Sequence, residues 1–481
     1  MGDTRHLWTS SRLQEEDDMQ GQDGVIDRCI TRRALCGIAG AGWMAACARH
    51  EPRASMLESQ QLRPAQLRLG IYGPQPEIPV WEEIVQNFEA KWSQIKVEIE
   101  HVASNYQEKL LALAAADQIW DVMRATDEPF YANCDKGAFR DITAYWTRDQ
   151  KEIDPSDFVE GQVDFWRWDP ERKIGGTKSG KLMGTPRDGG MQLFIYNKRA
   201  FDEAGIAYPP RNGNWTWDDF LNICKRLTQL DSAGRFIRAG FRLPTNWTHA
   251  MNWLAPKGIE LLDTVNKVST ISRPEAVAGL KQILDYRFVH RVASRDVDFP
   301  GVPARDQLAR GQIAMLIENP VFAALRESFK DDPANWEVAH MPMDPITRKR
   351  AARTSWGGLA NGRSSRFPDQ SWELMKYIIS AEGQRLWARL GRSMPCRLSV
   401  LRSDAWNRPD TPQDESIWVE ALQYQKYQPI TELWNETDRI WSFYWRQMTD
   451  DSIRRDPREA AQRIDEAINY LFKTGRMPEL S

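Results

Sequence analysis

The 481-residue chain is long enough for two or three domains. With 41% hydrophobic residues and a mean hydropathy of -0.60, it reads as a soluble protein with a sizeable core. Its 64 basic and 67 acidic residues nearly cancel and form no dominant Lys/Arg block, which speaks against a nucleic-acid partner. The six cysteines lack CxxC spacing and the six histidines form no HxxxH or HExxH pair. Neither a disulfide framework nor a metal site is indicated, and no cofactor is expected. Tryptophan is the outlier, with 21 residues. Most read as core, and a minority in loop-like contexts read as stacking surfaces.

Near the amino end, Thr31-Arg32-Arg33-Ala34-Leu35 sets a hydroxyl residue, two arginines, a free position and an apolar residue in the order of a twin-arginine export signal. The mildly apolar segment that follows is shorter than the roughly 20 residues that span a bilayer. It ends on Met44-Ala45-Ala46-Cys47, which resembles a lipobox with Met44 where Leu is usual. Residues 1–47 are therefore read as a leader with Cys47 as the lipidated residue, and 48–66 as a tether. Ordinary cleavage that leaves Cys47 without lipid is the alternative. The remaining chain is expected outside the cytoplasmic membrane, periplasmic or at the cell surface.

From residue 67 the pattern alternates to 72 and meets Gly73-Pro74, a strand entering a loop. Residues 79–92 predict a helix with Pro79 in its first turn and Val80, Ile84, Val85 and Phe88 as apolar positions. Residues 96–100 alternate again, 106–116 read as a second helix, and 120–123 as a short strand before a polar loop over 124–131. This succession implies a parallel or mostly parallel sheet, whose ligands sit beyond the carboxyl ends of the strands. Loops 72–77 and 124–131 are thus expected at one rim. Residues 181–188 form a Gly/Pro-rich approach to another loop, and 191–197 an apolar strand.

Residues 214–219 open a helix running to about Gln229, with Thr216 and Asp219 as a capping box. That role suits the Asp218/Asp219 pair better than acid–base chemistry does. Residues 263–272 read as a hairpin-like insertion, and Pro274 opens another helix. Strands are expected at 311–317, 336–341 and 355–360, then one long periodic helix over 371–390. From 416 onward the pattern is helical, with Trp441, Phe443, Tyr444 and Trp445 inside it. No repeat or low-complexity linker divides the chain, which favours two lobes sharing crossovers.

Four stretches carry a resemblance. "GKLMGTPRDGGMQLFIYNKRAFDEAGI" contains a Gly-Lys-x-x-Gly-x-Pro approach, a Tyr-Asn-Lys strand and Phe-x-x-Ala-Gly. "PPRNGNWTWDDFLNICKRLT", "GQIAMLIEN" and "FPDQSWELMKYIISAEGQRLWARLGRSMPCR" supply the Trp-Thr-Trp-Asp-Asp helix start, the Gly-x-x-Ala-Met strand and a late Trp-x-x-x-Lys-Tyr helix. In this order they resemble the extracellular solute-binding proteins of ABC importers, the family-1 carbohydrate binders related to maltose-binding protein, over most of 67–400. Ala116-Asp-Gln-Ile-Trp-Asp121, where the family often has Gly then Pro-Asp, and the aromatic tail depart from the pattern.

The resemblance implies an α/β, two-lobed periplasmic-binding-protein-like fold (type II), with mixed sheets flanked by helices and a hinged cleft. It places lobe one at 67–187 plus 344–392 and lobe two at 188–343 plus 393–481. It also implies closure around a ligand that bridges both lobes. Stacking rings and hydrogen-bonding side chains suit a sugar. The expected ligand residues are Tyr72, Gln75, Arg124, Thr126, Asp127 and Glu128 at the first rim, and Arg187 and Asp188 at a crossover. Trp247, Trp253, Asn319, Trp356, Gly357, Gly358, Arg392 and Trp441 complete the set. Core packing competes at Trp253 and Trp441, strand-end capping at Asn319, and a helix C-cap role at Arg392. Arg124, Arg187 and Arg392 would also suit an acidic sugar or a phosphate. The expected partners are a small carbohydrate and ABC permease subunits, with a lipid anchor and a monomeric chain. No enzyme motif is present. A glycan-processing enzyme using Asp127 or Glu128 with Asp188, and a ligand-sensing lipoprotein, are the alternatives.

Overall fold

The computed structural model describes residues 62–480 apart from 74, 390, 392 and 409–411. The leader, Cys47, the tether up to residue 61 and Arg392 lie outside the described residues. Leu67, Leu69 and Ile71 are buried along β1 (Ala65–Ile71), with Gln66 and Arg68 more exposed between and before them. β2 (Ile95–His101) and β3 (Val122–Thr126) flank it, both parallel. The helices Ile78–Lys91 and Tyr106–Ala115 make the crossovers. The first has Pro79 at its amino end and buries Val80, Trp81, Ile84, Val85 and Phe88.

β4 (Thr185–Met191) and β5 (Leu193–Asn197) replace the single strand expected at 191–197. Gln192 alone separates them, and they belong to different sheets. β5 is buried throughout and lies between two antiparallel partners of the second sheet. Among the described residues that sheet has six strands, counting the short Gln229–Leu230, which pairs antiparallel with Phe236–Arg242. Its members are β6 (Phe236–Arg242), β7 (Ala293–Ser294), β8 (Ile313–Glu318) and β9 (Trp336–Ala339). β6 has no counterpart in the sequence reading. Arg238 and Arg242 interrupt its apolar run, and ion pairs to Glu203 and Asp296 accommodate both.

The chain then returns through β10 (Ala352–Asn361), which pairs antiparallel with both β3 and β4. β11 (Met394–Pro395) adds to β4, and β12 (Gln425–Tyr427) runs parallel to the start of β10. The first sheet thus keeps Asp188–Met191, Met394–Pro395 and Gln425–Tyr427, segments that the expected boundaries assign to the other lobe.

Other local expectations shift for identifiable reasons. The segment 124–131 is a strand end followed at once by the helix Asp127–Asp135. Asp127 and Glu128 stand in its first turn, where carboxylates complement the positive helix end. The segment 181–188 is strand rather than loop, at Lys181–Leu182 and in β4. The long helix over 371–390 is two helices, Pro368–Ile378 and Ala381–Arg389. At the break the Ser380 hydroxyl donates to the Tyr377 carbonyl at 2.7 Å and accepts the Gly383 amide at 3.2 Å. The Thr216–Asp219 capping box is present at the head of the helix Trp217–Leu227. A bridge between Asp263 and Val268 closes the insertion.

The tail is not wholly helical, since β12 interrupts it. Its last helices, Trp434–Thr449 and Pro457–Thr474, join the second lobe through Asp465. That carboxylate accepts the Ser269 hydroxyl at 2.6 Å and the Ile271 and Ser272 amides at 2.8 and 2.9 Å.

Candidate functional site

β1 and β3 end side by side at Ile71 and Thr126, so the residues that follow share one rim. Facing them, Asn319, Pro320 and Val321 leave the end of β8 in the other sheet. Between the two lies a cavity of about 250 Å³, whose remaining wall is Asp188–Gly190, Ser355–Gly357 and Ser393. This is the position where α/β sheets present ligand sites.

Tyr72, Arg124, Thr126, Asp127, Asp188, Asn319, Trp356 and Gly357 of the expected set line this cavity. Glu77, Gly189, Gly190, Pro320, Val321, Ser355 and Ser393 line it without having been singled out. The doublet Gly189-Gly190 was a readable signal. A β-carbon on Gly189 would come within 2.2 Å of the Trp356 ring, and one on Gly190 within 2.4 Å of Pro320. The two glycines therefore let the tryptophan and the second lobe approach the strand.

Other expected residues lie elsewhere. Gln75 is exposed in the short turn Gln75–Glu77. Trp253 is fully buried and stacks on Trp217 at 4.3 Å, inside the second lobe. Gly358 packs on Trp166, which a β-carbon would meet at 2.6 Å. Arg187 sits behind the wall. Gly357 pairs with Asp188 and Gly358 with Pro186, so the ladder skips Arg187 and the strand bulges there. Its guanidinium is held between the Trp387 and Trp81 rings, at 4.2 and 5.2 Å. Nη2 lies 2.6 Å from Asp188 Oδ1, an ionic contact without hydrogen-bond alignment, and burial pushes the group down to about 10. Asp188 is further fixed by the Trp387 indole at 3.0 Å and by the Ser393 hydroxyl.

Arg124 is also committed. Nη1 donates to the Tyr72 carbonyl at 2.6 Å and to Glu77 at 2.8 Å, and the guanidinium lies 4.2 Å from the Tyr72 ring centre. Burial raises the Tyr72 phenol above its usual range.

A second polar group adjoins the cavity through Asp127. Its Oδ2 accepts the Trp356 amide at 3.1 Å and the Gln428 amide at 3.2 Å, and Oδ1 accepts the Glu128 amide at 3.0 Å. Arg353 Nη2 stands 3.5 Å from Glu128. Burial raises both carboxyls, and Glu128, also facing Asp127, reaches about 7. The Arg353 backbone donates to Asn252 at 2.7 Å, and Asn252 in turn to Gln192 at 3.4 Å, which links the two crossings to the second lobe. His249 meets Gln192 at 2.5 Å, and burial drives its imidazole down to about 3, so it is neutral. Trp247 lies parallel to Trp441 at 4.8 Å and donates to Asp438 at 2.7 Å. Both rings are buried.

A larger crevice of about 480 Å³ also lies between the lobes, away from the strand ends. Tyr131, Phe165 and Tyr427 line one side, and Met251, Ile259 and Leu261 the other. Its phenols are satisfied by the Phe165 and Glu160 carbonyls at 2.6 and 2.9 Å. Among the described residues no cluster of metal-ligating side chains occurs, and no helix is long and apolar enough to cross a membrane.

Solved structures share this architecture. The ABC substrate-binding protein Lmo0181 from Listeria monocytogenes, in complex with cycloalternan, superposes with a TM-score of 0.72 at 22% identity, covering 85% of this chain and 99% of that one. Maltose-bound MalE3 of T. maritima gives 0.68 at 20%, covering 85% and 100%. A putative binding protein of Brucella abortus is 22% identical over 307 residues, 59% of this chain and 68% of that protein. Residues 83–413 match the family model for the bacterial extracellular solute-binding protein. With that match spanning more than half its length, and with the two-lobed fold and the cavity at the strand ends, the chain belongs to the bacterial extracellular solute-binding proteins.

Proposed function

We propose that this protein binds a carbohydrate between its lobes and delivers it unaltered to an ABC permease. The observation that carries this reading is a pair of buried, unpartnered polar atoms among the residues lining the cavity, Asn319 Oδ1 from the second sheet and Trp356 Nε1 from the first. One needs a donor and the other an acceptor. A sugar hydroxyl is both, and its C–H face suits the indole. Asp127 and Asp188 are bound by backbone amides, an indole and a guanidinium group, an arrangement that orients a ligand. The related structures carry cycloalternan and maltose, which supports the same ligand class. In this reading the twin-arginine leader exports the chain and Cys47 holds it to the membrane, where it works as a monomer. Lobe one then includes all of β4, β10, β11 and β12, and the first crossing is Gln192.

The test is a thermal-shift and tryptophan-fluorescence titration against oligosaccharides. Binding raises the melting temperature by mass action, equivalent to about 2.7 kcal/mol at a hundredfold excess over Kd. Trp356→Ala weakens the best ligand by about 2 kcal/mol or more. Unchanged affinity in the folded variant removes Trp356 from the site, and recovery of a cleaved saccharide replaces the binding reading with an enzymatic one.

A further inference from the structure

The charges around the site do not balance. Arg124 is matched by Glu77 at 2.8 Å, and Arg187 by Asp188 at 2.6 Å. Arg353 is left to serve both Asp127 and Glu128, and its contact to Glu128 is a loose 3.5 Å. Asp438 adds a third negative group acting on Glu128 from the helix Trp434–Thr449. Among the described residues, no guanidinium at this site remains without a carboxylate to receive a ligand anion.

An independent observation points the same way. Gln428 is 5% exposed and gives its Nε2 to Asp127, while its Oε1 has no donor. Gln428 and Glu128 therefore offer acceptors that need donors, while Asp438 already accepts the Trp247 indole at 2.7 Å. The Glu128 side chain is 40% exposed, so it remains open to a ligand. A hydroxyl supplies one donor, whereas an ammonium supplies up to three and accepts nothing.

We propose that the ligand is an amino-bearing saccharide whose protonated nitrogen is received by Glu128, with Asp438 and the Gln428 carbonyl oxygen beside it. This deepens the carbohydrate reading and rests on it. It also reverses what the arginine count suggests, since an acidic sugar would meet carboxylates already outnumbering their partners.

The experiment is calorimetric titration of the full chain with four trisaccharides near neutral pH: triglucosamine, its N-acetylated form, cellotriose and trigalacturonate. Triglucosamine binds about tenfold or more tightly than its N-acetylated form, in the range of a charge-assisted contact. In Glu128→Gln that ratio falls to about twofold, and in Asp438→Asn it falls part of the way. The melting temperature of each variant shows that it is folded. Preference for cellotriose or trigalacturonate over triglucosamine overturns the amine assignment and leaves the carbohydrate reading standing. A tenfold preference that survives in both variants overturns the role of this corner, and failure of all four to bind overturns both readings.

Discussion

Two crevices separate the lobes, and the larger one is the poorer candidate. The crevice between Tyr427 and Leu261 has almost twice the volume of the cavity at the strand ends, about 480 against 250 Å³. Its phenols at Tyr131 and Tyr427 are already satisfied, and among the described residues its one unpartnered lining side-chain atom, Gln428 Oε1, belongs to the residue that reaches across to Asp127. The smaller cavity has unpartnered atoms at Asn319 and Trp356 and carboxylates at Glu77, Asp127 and Asp188 along its first-sheet side. Unmet hydrogen-bonding capacity indicates a ligand better than volume does, because a buried polar atom without a partner costs about 1–3 kcal/mol until something satisfies it.

The contrast can be broken in three ways. The largest effect is expected at Arg187, whose charge supports Asp188 on the cavity wall. Arg187→Ala leaves that carboxylate without its cation and destabilises the fold by about 3–5 kcal/mol, measured by denaturant unfolding. A loss below about 1 kcal/mol would make the Trp81–Arg187–Trp387 stack incidental.

The next effect is a pH dependence. Glu128 titrates near 7 in the folded protein against a usual 4.5, so between these values the folded state holds a proton that the unfolded chain has released. Its contribution is therefore most favourable at low pH, falls as pH rises toward about 7, and is flat above. With the side chain 40% exposed, solvent screening limits the change to about 1 kcal/mol. Melting curves of wild type and Glu128→Gln should diverge over that window, and parallel curves would mean that Glu128 is ionised throughout.

The smallest effect is expected at the larger crevice. Tyr427→Phe should change saccharide affinity by less than about 0.5 kcal/mol in the same calorimetric assay. A tenfold loss would move the functional weight to that side.

Much of this organisation was legible in the residues. Pro79, the Thr216–Asp219 box and the alternation of Leu67, Leu69 and Ile71 act locally, and their elements stand where expected. The rim was legible too, because parallel strands bring Tyr72 and Thr126 together whatever the details. What escaped is non-local. β6 carries two arginines that are acceptable only because Glu203 and Asp296 arrive from elsewhere. Arg187 lies on the strand that lines the cavity but turns away at a bulge, which no spacing along the chain announces. Trp253 and Trp356 occupy similar polar contexts in sequence, yet one meets Trp217 in a core and the other covers Gly189 at the cavity. The acid-rich corner draws Asp127, Arg353, Gln428 and Asp438 from four distant segments.

The lone residue between β4 and β5 constrains any opening motion. Gln192 joins strands embedded in different sheets with no slack between them, so in the proposed binding cycle it is the pivot about which the lobes separate. Its amide group also touches His249 and Asn252. A torsional change at this joint is thereby felt at once by the floor of the second lobe. Longer linkers inserted after Met191 would loosen that pivot, so that the halves could part without swinging along one fixed arc.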